Sequence, residues 1–121
     1  MPYQVEWKNS GVYWTYTGVL TGEDILKSNF EIYGDPRFDG LSFQIVNFLN
    51  VEKFEVVERD IQKVAYVDAA AARTNYRIRV AVVARSKEAI KLKELYAKYS
   101  RGGGWPTEVF GSVEEAEAWV R

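Results

Sequence analysis

Leu41-Ser42-Phe43-Gln44-Ile45-Val46-Asn47-Phe48-Leu49-Asn50-Val51 carries apolar side chains at both parities of a strand, and a helical pattern follows it: Val57, Ile61, Val64, Ala65, then Ala69-Ala70-Ala71-Ala72. A strand that is apolar on both faces must be covered on both, as happens inside a parallel or mixed sheet. A helix with apolar residues three and four apart has one face to bury. Together they predict a central strand with a helix packed on it, and the rest of the chain is read outward from this pair.

Upstream, Tyr3-Gln4-Val5-Glu6-Trp7 alternates as a strand. Lys8-Asn9-Ser10-Gly11 is a turn, with Asn and Gly suited to positive φ, and Val12–Leu20 is the second strand of an antiparallel hairpin. Thr21-Gly22-Glu23-Asp24 opens a helix with a capping box, and that helix carries Ile25, Leu26, Phe30 and Tyr33 along one side. Gly34 suits the position after its last turn, and Asp35–Gly40 is a loop.

Downstream, Arg77–Ala84 reads as a strand and Ser86 caps a helix from Lys87 to about Ser100. Gly102-Gly103-Gly104-Trp105-Pro106 is a loop rather than a phosphate cradle, since no Lys-Ser/Thr and no helix start follow it. Thr107–Phe110 is a last short strand, and Ser112 with Glu115 caps a final helix burying Ala116, Trp119 and Val120. The order β-β-α-β-α-β-α-β-α predicts an α/β domain: a largely parallel sheet with right-handed crossovers, extended by an N-terminal hairpin. A chain of 121 residues is expected to form one domain, 1–121.

Composition removes several chemistries. The chain has no Cys and no His. Thiol and Ser-His-Asp nucleophilic catalysis are therefore absent, as are Cys- or His-ligated metal sites. No D-x-D-x-D-G calcium loop occurs. No side chain titrates near neutrality unless its surroundings push it there. No apolar run approaches the ~20 residues of a membrane span, and no basic region followed by an apolar stretch opens the chain, so a cytoplasmic protein without signal peptide or transmembrane segment is expected. Net charge is −1 overall, yet residues 1–72 carry −5, residues 73–101 carry +7 and residues 102–121 carry −3. The basic segment reads as a solvated helix face with internal ion pairs, or as an attraction for an acidic partner; nucleic acid is not expected.

Gly22-Glu23-Asp24, Glu31-Ile32-Tyr33-Gly34-Asp35-Pro36-Arg37-Phe38-Asp39, Gln44-Ile45-Val46-Asn47, Asp68-Ala69-Ala70-Ala71-Ala72-Arg73 and Arg79-Val80-Ala81-Val82-Val83-Ala84 resemble the SpoIIAA-like small bacterial proteins of the STAS/SEC14 group over nearly the whole chain. The resemblance implies a SpoIIAA-like, STAS-like mixed sheet with helices around it, acting without catalysis through protein–protein contacts. The anti-sigma-factor antagonists of that group carry an Asp-Ser-Ser-Gly-like motif with a phosphorylatable Ser. Here the matching place is Glu55-Val56-Val57-Glu58, which has no hydroxyl. Asn47 stands where the family usually has Asp. The SEC14 side of the resemblance implies the alternative, a small apolar or lipid-like ligand.

Candidate site residues follow from where a parallel sheet offers its strand ends. Asn47, Asn50, Arg85 and Ser86 lie there, and would suit an anion or small ligand; Thr21, Ser86 and Ser112 also serve simply as caps of their own helices. Asn47, polar within an apolar run, needs a partner in either a neighbouring backbone or a ligand. Asp68 is expected to pair with Arg73 or Arg79. No catalytic residue, cofactor or metal is expected. Tyr13, Trp14 and Tyr16 are candidates for an exposed aromatic interface, with a homodimer or a protein partner, unless the final helix covers them.

Overall fold

The structure is a computed structural model and describes residues 3–100 and 104–121. Five strands form one mixed sheet in the order β1-β2-β3-β4-β5: β1 (Tyr3–Lys8), β2 (Gly11–Thr21), β3 (Phe43–Glu55), β4 (Arg79–Val83) and β5 (Thr107–Phe110). β1 and β2 are antiparallel, and every later pair is parallel. Helices α1 (Gly22–Tyr33), α2 (Glu58–Thr74) and α3 (Lys87–Ser100) connect the parallel strands, and α4 (Val113–Val120) follows β5. The predicted order of elements is the observed one.

Strands that add in sequence order through right-handed crossovers put every connecting helix on the same face. The core divides accordingly. Val12, Trp14 and Tyr16 of β2 and Val80 and Val82 of β4 pack with Ile25, Ile32, Val64 and Ala89 of α1, α2 and α3. The opposite parity, Phe43, Ile45, Ala81 and Val83, packs under Ala116 and Val120 of α4. This is why the 41–51 and 79–84 stretches are apolar at both parities: β3 and β4 are the strands covered on both sides.

The hairpin turn places Asn9 and Ser10, not Gly11, at positive φ (55° and 61°), the arrangement of a two-residue turn matched to strand twist. Gly11 is needed for a different reason. It pairs with Phe43, and a Cβ there would lie 2.1 Å from the Phe43 ring. Gly34 closes α1 with φ −85°, so the left-handed cap expected there is not formed. The segment expected as loop contains a 3₁₀ turn, Pro36–Gly40, capped by Asp35. Trp105 is buried, 5% exposed, with Nε1 donating to the Asn75 carbonyl at 2.7 Å. Asn75 in turn donates from Nδ2 to the carbonyls of Phe38 and Leu41, each at 2.9 Å. One buried amide thus ties the end of α2 to the turn before β3 and the loop before β5. Gly102 and Gly103 of the glycine run lie outside the described residues.

β3 runs further than the sequence pattern suggested. Beyond Asn47 it leaves β4 and continues beside β2 as a two-stranded ribbon, Thr17–Thr21 against Asn50–Glu55, with register shifts after Thr15 and Gly18.

Val82, 7% exposed and paired with Val46, faces the three-helix core. Val82→Asp buries an unpaired carboxylate there and is expected to remove several kcal/mol of stability, about 3 or more. Thermal unfolding followed by circular dichroism checks it: an unchanged melting temperature contradicts the central placement of β4.

Candidate functional site

The four residues expected at the strand ends do not converge. Asn47 uses its side chain locally: Oδ1 accepts from the Leu49 N–H at 2.9 Å, a donor displaced where β3 shifts register against β2. Asn50 is exposed on the ribbon. Arg85 donates from Nε to the Gly111 carbonyl at 2.9 Å, and the Ser86 hydroxyl accepts from the Ala89 N–H at 3.1 Å as a helix cap. Several arginines of the basic segment are spent in the same way on backbone carbonyls, Arg77 on Asp39 and Arg79 on Trp119.

The aromatic interface is corrected as well. Trp14 and Tyr16, each 1% exposed, point into the three-helix core rather than to solvent. Tyr13 points to the other face. Its ring packs edge-on to Phe43, and its hydroxyl donates to Glu117 of α4 at 2.7 Å; its partial burial and that pairing push the phenol up to about 12. A two-layer sheet absorbs these rings because β2 is an inner strand, flanked by β1 and β3.

The sheet's helical face holds instead a polar group that the sequence pattern hid. Asp68 of α2 is 5% exposed. Its Oδ1 accepts from Asn29 Nδ2 of α1 at 3.2 Å and from the Tyr33 hydroxyl, and its Oδ2 accepts from the Tyr96 hydroxyl of α3 at 2.7 Å. All three helices of that face therefore meet at one carboxyl. Neither Arg73 nor Arg79, the expected partners, reaches it. Burial outweighs the three hydrogen bonds and pushes the Asp68 carboxyl up to about 6, while Tyr33 and Tyr96 are held well above the ordinary phenol range by burial and by the carboxylate beside them. Asp68 borders a cavity of about 80 Å³ between the sheet and the helices, whose lining includes Trp14, Gln44, Phe48, Ile61 and Val82. Asn29 and Ser28 sit on the buried stripe of α1 with Ile25 and Ile32, while Phe30, expected inside, is 58% exposed.

Large apolar side chains are exposed on the β2–β3 ribbon and at the start of α2, as Phe30, Tyr66, Tyr76 and Ile90 are elsewhere. Val19 and Leu49 on the β2–β3 ribbon are 48% and 38% exposed, and Val57, the residue before α2, is 62% exposed. The Val57 N–H is held by Asp60 Oδ2 at 3.0 Å, and Glu58 in the first turn is held by Tyr99 and by Lys98 Nζ, at 3.5 Å. Among the described residues no cluster of carboxylates has the makings of a metal site, and no helix is long and apolar enough to cross a membrane.

Comparison with solved structures finds the same architecture end to end. The anti-sigma factor antagonist SpoIIAA in its unphosphorylated form superposes with a TM-score of 0.65 at 15% identity, over 98% of this chain and 97% of that one. The Bacillus cell fate determinant SpoIIAA in its phosphorylated form gives 0.61 at 19% identity, over 98% and 99%. An uncharacterized DUF3478-family protein with a SpoIIAA-like fold from Shewanella loihica PV-4 gives 0.57 at 13% identity, over 98% and 92%. No family model and no curated protein matches the sequence. The chain has the SpoIIAA-like, STAS-type fold.

A carboxyl whose folded pKa lies above its unfolded value stabilises the protein below the unfolded value and loses that contribution as pH rises through the folded one. For Asp68 the window runs from about 4, the ordinary carboxyl value, up to about 6. A shift of about two units corresponds to ~3 kcal/mol. Chemical denaturation of wild type and Asp68→Asn at pH 5.0 and 7.5 isolates this group, and the wild type is expected to gain on the variant at the lower pH. A stability difference that does not change with pH contradicts the raised carboxyl.

Proposed function

We propose that this chain is a non-catalytic interaction module that holds a protein partner at the end of the sheet formed by the β2–β3 ribbon and the start of α2. The observation that carries the reading is the exposure of Val19, Leu49 and Val57 in this region, where polar side chains cost nothing and apolar ones are retained for a contact. The charged residues around them, Glu52, Lys53, Glu55 and Arg59, form a rim of both signs, the usual setting of a specific patch. The likeness in fold to SpoIIAA, an anti-sigma factor antagonist, supports a role through binding. So does the lack of Cys and His in the chain, which removes thiol nucleophiles and imidazole bases.

In this reading the contact is not switched by phosphate at the start of α2. Residues 52–60 contain no Ser, Thr or Tyr, and phosphorylation acts by adding charge at such a hydroxyl. Binding there is governed by availability of the partner. The protein acts in the cytoplasm, where a cysteine-free chain needs no oxidising compartment.

Leu49→Asp with Val57→Asp places two charges in the patch without touching the core. Native mass spectrometry of the tagged protein purified from its own host reads the result. The wild type is expected to carry a stoichiometric protein partner, and the double variant is expected to lose it while keeping its melting temperature. A partner retained equally by both, or a wild type that carries none, contradicts the proposed contact.

A further inference from the structure

The cavity beside Asp68 is walled mainly by Ile25, Val46, Phe48, Ile61, Val64 and Val82. Asn29, Asp68, Lys93, Tyr96 and Thr107 also border it, and two further hydrogen-bond donors on the lining are unpaired. Trp14 is 1% and Gln44 2% exposed, both border the cavity, and neither Trp14 Nε1 nor Gln44 Nε2 has a partner among the described residues. The Gln44 amide lies against the Tyr33 hydroxyl as a weak donor, and Nε2 makes no hydrogen bond of regular geometry among the described residues. Buried donors are almost always paired, because an unmade hydrogen bond in a core costs the full desolvation of the group. Phe at position 14 and Leu or Met at position 44 would fill this space at no such cost. On the same lining Asp68 Oδ2 accepts only from Tyr96, and a carboxylate oxygen has capacity for a second donor.

These features define a guest. Apolar walls disfavour a bare charge, and the lining carries one group of each sign, Asp68 and Lys93, so neither sign of guest is selected. A volume of about 80 Å³ is too small for an acyl chain; a cavity of about 150 Å³ takes one benzene. The two free donors call for an acceptor, and Asp68 Oδ2 calls for a donor. We propose that the cavity is a binding site for a small neutral molecule of about three or four non-hydrogen atoms, carrying a carbonyl acceptor and an N–H donor. The acceptor lies against Trp14 Nε1 and Gln44 Nε2, and the donor against Asp68. The site lies between the sheet and the helices and shares no lining residue with the exposed Val19, Leu49 and Val57.

N-Methylformamide has this size and both groups, and serves as the probe. The chain has four tryptophans, so the indole N–H resonances of ¹⁵N-labelled protein resolve the site directly. Trp105, whose indole already donates to Asn75 at 2.7 Å, is the internal reference. Titration at pH 7.5 is expected to move the Trp14 indole resonance to saturation with a Kd of about 1 mM, ordinary for so few atoms, and to leave Trp105 in place. Acetate, which replaces the N–H with a negative charge, is expected to leave both in place. Val82→Ile puts an extra methyl into the cavity and is expected to weaken binding at least tenfold; if that variant does not fold, Val64→Ile makes the same test. A Trp14 resonance that is unmoved, that moves linearly without saturation, or that responds equally in the filled-cavity variant overturns the proposal. So does a nuclear Overhauser contact from the Trp14 indole to water that persists at the highest probe concentration, which assigns the two donors to solvent. Xenon occupying the cavity where N-methylformamide does not overturns the polar part of the assignment.

Discussion

Three helices on one face of the sheet each place a polar side chain on the same buried carboxyl. Asn29 and Tyr33 come from α1, Asp68 itself from α2, and Tyr96 from α3. A carboxylate without a cation in a core is costly, so the arrangement holds only while all three donors stay in place. That makes Asp68 a constraint on the register of the helices as well as a hydrogen-bond acceptor. Sliding α1 by one residue would carry Asn29 out of reach and bring an apolar neighbour to the carboxyl. The α-helical layer is apolar elsewhere, through Ile25, Ile32, Val64 and Ala89, and apolar packing alone tolerates such slips better than a polar node does.

The same node shapes the cavity. Tyr33 and Tyr96 reach the carboxyl through their hydroxyls, and Tyr96 and Asp68 both border the cavity. Tyr33 also packs against Phe38 and Trp105, with ring centroids 5.1 and 5.9 Å apart, which carries the constraint to the loop before β5. At the far end, the β2–β3 ribbon is braced from inside by Tyr16, Phe48 and Phe54 in a chain of ring contacts at 5.4 and 5.6 Å. The exposed Val19 and Leu49 thus sit on a stiffened surface, and a stiff surface loses little entropy on binding.

Much of the architecture was legible because it follows local rules. The apolar run at 41–51, the capping box at Thr21 and Asp24, and the Ser112 cap each depend on residues within a few positions of one another, and each gave the right element. What escaped depends on pairings far apart in sequence. Asn29 and Asp68 are 39 positions apart and Tyr96 another 28, so nothing local showed that a polar residue on α1 faced inward while Phe30 faced out. The resulting misreading of α1 and the search for an arginine near Asp68 share this cause. Trp14 and Tyr16 were placed at an exposed edge because the hairpin was read as the end of the sheet. β2 is in fact paired on both sides and lies under α1 and α2. The candidate ligand residues Asn47, Arg85 and Ser86 were chosen for their position at strand ends; the structure uses Asn47 and Ser86 in local hydrogen bonds that the sequence already allowed as the simpler reading, and Arg85 on the Gly111 carbonyl 26 positions away.

The account turns on Asp68 being a carboxyl driven by burial, with its three donors moderating but not reversing the shift. Carbon-13 NMR of the aspartate side-chain carboxyls, with Asp68 assigned by comparison with Asp68→Asn, measures this directly. The account expects the Asp68 carboxyl to titrate at about 6, well above the other aspartates. A midpoint at or below the ordinary carboxyl value of about 3.9 would mean that the hydrogen bonds win over burial, and would contradict the role given to the node.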